Sequence, residues 1–222
     1  MIKNIWDGLD WSYLLEILVS VIPSLICITL HELSHGLVAY RLGDSTAKNM
    51  GRLSLNPLKH IDIFGLIMMI VFKFGWAKPV PVNMYNFKNP KRGMAITALA
   101  GPVSNLLITL VFLVLYGLLY SALYSSDIGW YVLYGIYMTA YISLALAVFN
   151  IIPIPPLDGS KVLFSLLSED KYYKLMRYEK YGMLLLLVVV ASGVLGSPLS
   201  KVTQWIFSRL YTIAEAVFYL VN

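Results

Sequence analysis

Hydrophobic positions along this chain fall into long unbroken blocks separated by short basic segments. Residues 13–30 hold one charge, Glu16, and a helical pattern runs on through His31-Glu32-Leu33-Ser34-His35-Gly36 to about residue 42. That is roughly 45 Å of helix, more than a bilayer core requires. Residues 95–124 and 129–152 carry no charge at all and predict two further spans. The apolar run 61–72 covers only about 18 Å as a helix and has basic segments on both sides, which predicts a hairpin that dips into the membrane and returns. Residues 181–195 predict a short outward span, and 200–221 a return span despite Lys201, Arg209 and Glu215. The expected fold is all-α: a polytopic transmembrane helical bundle of about five to six membrane segments in a single membrane-embedded domain. Its spans fall near 12–42, 95–124, 129–152, 181–195 and 200–221, with a re-entrant segment at 61–75.

Composition supports the same class. Of 222 residues 59% are hydrophobic and 13% charged, against about 45–50% and about 25% in soluble domains. A single cysteine, Cys27, excludes an intramolecular disulfide framework. The net charge of +5 does not imply a nucleic-acid partner, because basic residues concentrate at 41–92 and 161–180 while the linker around Asp127 has none. The positive-inside rule therefore puts those segments in the cytoplasm and the N-terminus outside, in a multi-pass cell-membrane protein. Residues 1–11 contain Asp7, Asp10 and one base, Lys3, and no cleavage site follows, so the first apolar stretch is expected to be retained.

Against this apolar background the polar residues stand out. His31 and His35 are four apart on a helix, so both imidazoles project from one face and can reach one zinc ion, with Glu32 beside a metal-activated water. A catalytic zinc site ordinarily takes a third protein ligand. His60 sits in a loop between basic residues. Asp158 is the better candidate: Pro153, Pro155 and Pro156 end the preceding span and leave it near the cytoplasmic side, at the depth of the two histidines. Asn150, and as a second choice Asn105, are candidates for a substrate-binding or oxyanion-stabilising amide. Gly101-Pro102 reads as a packing and kink feature. Pro79-Val80-Pro81-Val82 could offer an edge for an unwound substrate strand, or serve only as a stiff connector.

HELSHG in a membrane helix, followed later by Asn150-Ile-Ile-Pro153-Ile-Pro155-Pro156-Leu-Asp158-Gly159, resembles the site-2 proteases, the intramembrane zinc metalloproteases. GRLSLNPLKHID, GWAKPVPVN and ALAGPVSNLL extend the resemblance to the compact bacterial branch without a PDZ or CBS domain. Ser160 and Ile63 depart from the family pattern, and neither position is a metal ligand. The resemblance implies one Zn2+ per chain on His31, His35 and Asp158, Glu32 as general base, and Asn150 as a substrate-holding residue. The implied activity is hydrolysis of a peptide bond in a single-span transmembrane protein near the cytoplasmic face of the bilayer. The sequence gives no oligomeric state. A protease-like binding protein without activity, or a metal transporter, would share parts of this pattern.

Overall fold

The computed structural model describes residues 11–72 and 75–222; within these, the side chains of 11–20, 66 and 69–72 are not described. The expectation that residues 1–11 are retained and lie outside falls almost wholly beyond the described residues. Among those residues the fold is helical, and its only strand-like pairing is one antiparallel bridge between Ile61 and Ala77.

The long helix α1 (Trp11–Arg41) ends where Gly43, at φ +110°, turns the chain and lets the N–H of Asp44 reach back to Ala39 O, 2.9 Å away. A short helix α2 (Thr46–Asn49) follows. The chain then enters α3 (Ile63–Phe72), and it leaves and returns at one point: the Ile61–Ala77 bridge is reinforced by the Lys78 N–H donating to His60 O at 2.9 Å. Gly65 lies against the backbone of Trp76, so the outgoing and returning segments touch. Ile63, Phe64 and Ile67 point outward.

Helix α4 (Pro90–Leu123) begins at Asn89, whose side chain accepts from the Arg92 N–H, with proline at the first helical position where its missing N–H costs nothing. It is the central helix, packed against α1, α5 (Asp127–Asn150), α6 (Asp158–Ser165) and α9 (Gly196–Val221). Every fourth residue from Gly93 to Gly117 is buried, namely Gly93, Thr97, Gly101, Asn105, Thr109, Leu113 and Gly117. The rest of its surface exposes Val103, Leu107, Val111 and Leu118, as suits a lipid-facing helix. Leu113, Ala140, Leu144, Phe207 and Ala214 form a core where α4, α5 and α9 meet, ringed by Tyr116, Tyr137, Tyr141 and Tyr211.

Three helical stretches are long and apolar enough to cross a bilayer: Val21–Arg41, Pro90–Leu123 and Asp127–Asn150. They fall at the first three expected spans. The last part differs from expectation. The stretch Glu169–Ala191, made of α7 (Glu169–Tyr178), a 3-10 turn and α8 (Gly182–Ala191), meets Gly196–Val221 at an 87° bend, and the two qualify only as a pair. The physical reason is composition: the first stretch opens on charged residues from Glu169 to Lys180, and the second carries Lys201, Arg209 and Glu215.

Gly117 lets α4 approach α9 closely, since a Cβ there would clash with the Ala214 carbonyl oxygen. Gly117→Ala is expected to destabilise the bundle by about 1–3 kcal/mol, read as a lowered unfolding midpoint in detergent. An unchanged midpoint would show that the α4–α9 contact yields at no cost.

Candidate metal centre

The histidine pair sits on α1 where that helix faces α4. Helical spacing puts both rings on the same side, with centroids 4.7 Å apart and planes at 85°. After α5 the proline-rich turn folds back sharply: Gly159 lies so near Ile151 O that no Cβ would fit. That close approach starts α6 with Asp158 buried beside the rings. Asp158 Oδ2 is 3.2 Å from His31 Nε2 and 3.2 Å from His35 Nε2. Lys161, one turn on, has its Nζ 4.0 Å from Asp158 Oδ1 and 3.5 Å from Glu179 Oε1, so a cation holds the other carboxylate oxygen.

His31, His35 and Asp158 form the one cluster of metal-ligating side chains among the described residues, with one ligand atom from each lying within 4.8 Å of the others. Ligand bonds of about 2.0–2.1 Å around a tetrahedral ion give edges of about 3.3–3.4 Å. The 3.2 Å nitrogen–oxygen separations match that edge, and a two-histidine, one-carboxylate set is a zinc donor set.

One row of α4 surrounds the cluster. The carbonyl of Thr97 accepts from His35 Nδ1–H at 2.7 Å, which orients the ring so that Nε2 is the nitrogen facing Asp158. Gly101, one turn on, has no side chain where the ring tips converge: a Cβ would lie 2.5 Å from His31 Nε2 and 2.5 Å from His35 Nε2. The expectation of a packing role for Gly101 holds in a narrower sense, because what it packs against is the ligand pair. Asn105, another turn on, lies 3.1 Å from His31 Nδ1.

The remaining predicted residues are placed differently. Glu32 Oε2 accepts from the Val80 N–H at 2.8 Å, so the glutamate is held against the 79–82 segment. Asn150 is half-buried, and its amide donates to Leu146 O of its own helix at 3.0 Å. Asn105 is engaged on the far edge of the His31 ring from Asp158. His60 is buried away from the cluster with Nε2 2.9 Å from Ser54 O.

Sequence reasoning missed the anchoring of residues 78–86. Arg52 donates to Lys78 O at 2.8 Å, and fully buried Asp44 accepts from the Asn83 N–H and the Asn86 amide, both at 2.7 Å. Burial alone would raise the Asp44 carboxyl; the Thr46 hydroxyl, the Asn86 amide and the N–H groups of Asn83 and Thr46 outweigh it and hold the pKa below its ordinary value.

Peptidase family M50 matches residues 124–195, which include the proline-rich turn and Asp158. The Bacillus subtilis protein YwhC, named as a zinc metalloprotease candidate, is 38% identical over 191 residues, covering 83% of each chain. The chain belongs to peptidase family M50. Other relatives of this M50 chain carry the name Rip2 and the same description. The Mycolicibacterium smegmatis protein is 27% identical over 200 residues, 88% of this chain and 75% of its own. The Mycobacterium tuberculosis protein is 28% identical over 189 residues, 82% and 70% respectively. No solved structure matches. Family membership makes this a multi-pass membrane metalloprotease of the site-2 type with zinc as its metal.

Two outcomes follow from this geometry. Gly101→Ala is expected to weaken zinc binding at least about tenfold with helix content unchanged, measured by metal titration; wild-type affinity would contradict the close approach. Because the Asp44 carboxyl is held low, its contribution is complete above the ordinary carboxylate range and is lost as pH falls through the lower folded pKa. Amide-exchange protection at Asn83 should therefore persist at about pH 4 and disappear only below it, whereas loss near pH 5 would contradict this sign.

Proposed function

We propose that the chain is an intramembrane endopeptidase that hydrolyses a peptide bond in a single-span transmembrane protein near the cytoplasmic face, with zinc held by His31, His35 and Asp158. The observation that carries this reading is the convergence of two imidazole Nε2 atoms, each 3.2 Å from one carboxylate oxygen, inside a bundle of apolar helices. Zinc supplies Lewis acidity toward the scissile carbonyl and makes water acidic enough to lose a proton near neutral pH. Glu32 takes that proton and later delivers it to the leaving amine nitrogen.

Glu32 suits the task because its carboxylate is oriented by one main-chain donor and lies one residue from a metal-binding histidine. Asn150 serves as the substrate amide once its side chain leaves Leu146 O. Helical substrates hide their carbonyls in intrahelical bonds, so the cleaved segment must unwind, and the extended 79–82 segment beside Glu32 is the edge that receives it. A re-entrant segment at 61–75 is supported, among the described residues, by the Ile61–Ala77 bridge at its base and by the exposed Ile63, Phe64 and Ile67. The positive-inside rule supports a cytoplasmic position for the basic loops, the site beside them, and an outside N-terminus.

Reconstitution in liposomes with a single-span substrate tests the reading. Glu32→Gln should slow cleavage at least about 10²-fold and keep its zinc. Asp158→Ala should lose zinc and activity together. Full cleavage by Glu32→Gln would overturn the base assignment, and wild-type zinc affinity in Asp158→Ala would remove it from the ligand set.

A further inference from the structure

Two buried side chains of opposite charge hold the extended segment that reaches Glu32. Arg52, 8% exposed, donates from Nη2 to Lys78 O at 2.8 Å, and Asp44, fully buried, accepts the Asn83 N–H at 2.7 Å. Among the described residues neither is in an ion pair. Each instead matches the main-chain group it meets, cation to carbonyl and anion to N–H, at the two ends of residues 78–83. Both come from one stretch of chain: Asp44 follows the turn that ends α1, Arg52 follows α2, and the Arg52 N–H donates to Ala47 O at 2.9 Å. The Lys78 end is held a second time, by its N–H donating to His60 O at 2.9 Å. Burying a charge is costly, and two of them on one short segment mark a segment whose position matters.

Between those two points, register decides which group meets Glu32. The segment runs along α1: Val80 packs against Gly36, one turn beyond Glu32, and Val82 packs with Ala39, Phe87 and Met94. The Val80 N–H donates to Glu32 Oε2 at 2.8 Å. Pro79 and Pro81 have no N–H, so a slip of one residue in either direction, about 3.3 Å, puts a proline opposite the carboxylate and leaves it without that donor. The same slip turns the Val80 side chain away from Gly36, because side chains alternate along an extended chain. Helix α1 carries Glu32 and both histidines, so the register of the segment against α1 is also its register against the metal centre.

We propose that Arg52 and Asp44 are positioning residues that fix which peptide bond of a substrate is cut. A substrate strand that pairs with residues 79–82 takes its register from that segment, and the segment takes its own from the two charged clamps. Loosening either clamp lets the segment sit in more than one register, and neighbouring bonds of the substrate then reach the metal centre. The inference rests on the peptidase reading above and deepens it, since it assigns the choice of bond to two residues that form no hydrogen bond with Glu32 or with the metal ligands.

The test uses the full chain in liposomes with a panel of single-span reporter peptides, each a Leu-Ala transmembrane segment with one Gly-Gly pair at a different depth, and reads cleavage positions by mass spectrometry. The wild type should cut each cleaved reporter at one predominant bond. Arg52→Met should cut at several neighbouring bonds while binding zinc as the wild type does in metal titration. Arg52→Lys, which keeps a donor for Lys78 O, should return to the single bond, and Asp44→Ala should scatter the cuts as Arg52→Met does. Slower cutting at one unchanged bond in both Arg52→Met and Asp44→Ala is what a merely structural role gives; that result, or scattered cutting by the wild type, overturns the proposal and leaves the peptidase reading standing. No cleavage of any reporter by the zinc-loaded wild type overturns the peptidase reading itself. Should the variants fail to fold, amide exchange in the wild-type chain decides. A segment clamped at both ends opens as a unit, so Val80, corrected for intrinsic rates, should exchange no more than about tenfold faster than Lys78 and Asn83, and a faster Val80 overturns the clamp.

Discussion

Two imidazole tips converge over the bare Cα of Gly101 and share one carboxylate oxygen, and most of the architecture serves to make that approach close and polar inside an apolar bundle. A side chain at this one position would push α1 off α4. The close approach is therefore a condition on helix packing before it is a condition on chemistry. The same row of α4 that presents Gly101 presents Thr97 and Asn105 a turn to either side, so one helix face both sets the distance and supplies the groups behind the ligands.

Burying polar groups among membrane helices is costly unless each finds a partner. Around the cluster several of these partners are present, while the Thr97 hydroxyl and the Asn105 amide oxygen are buried without one. Thr109 and Ser143 hydroxyls converge on the Asn105 carbonyl, Thr97 O takes the His35 proton, and Lys161 stands behind Asp158. These bonds tie α1, α4, α5 and α6 into one polar seam, which fixes the relative depth of the helices where greasy packing alone would let them slide. Farther along α4 the seam gives way to the aromatic and aliphatic core shared with α5 and α9.

Much of this was legible in the residues. Charge-free stretches marked the α4 and α5 cores, because in a bilayer the cost of a charge is written directly into composition. Asp158 could be placed near His31 and His35, 127 residues before it in the case of His31, because prolines must end a helix and basic loops fix depth. The row Thr97, Gly101, Asn105, Thr109 was also readable, as small or polar residues at a strict period of four in an apolar run. What the residues did not show was done by main-chain atoms. Thr97 O and the Val80 N–H are groups that nearly every residue carries, so side-chain identity cannot announce their use. The 87° bend between Glu169–Ala191 and Gly196–Val221 was illegible for a related reason: a hydropathy pattern carries no direction, so two apolar stretches in sequence read alike whether they run straight or turn.

The alternation Pro79-Val80-Pro81 has one donor in three residues, because proline has no N–H. That single proton is already in use on Glu32. A peptide carbonyl arriving at this stretch must compete with the carboxylate for it, so docking and release of the glutamate become two sides of a single exchange. An arriving chain without an exposed carbonyl at that point leaves the glutamate tethered, and a folded helix, with its carbonyls turned inward, is such a chain.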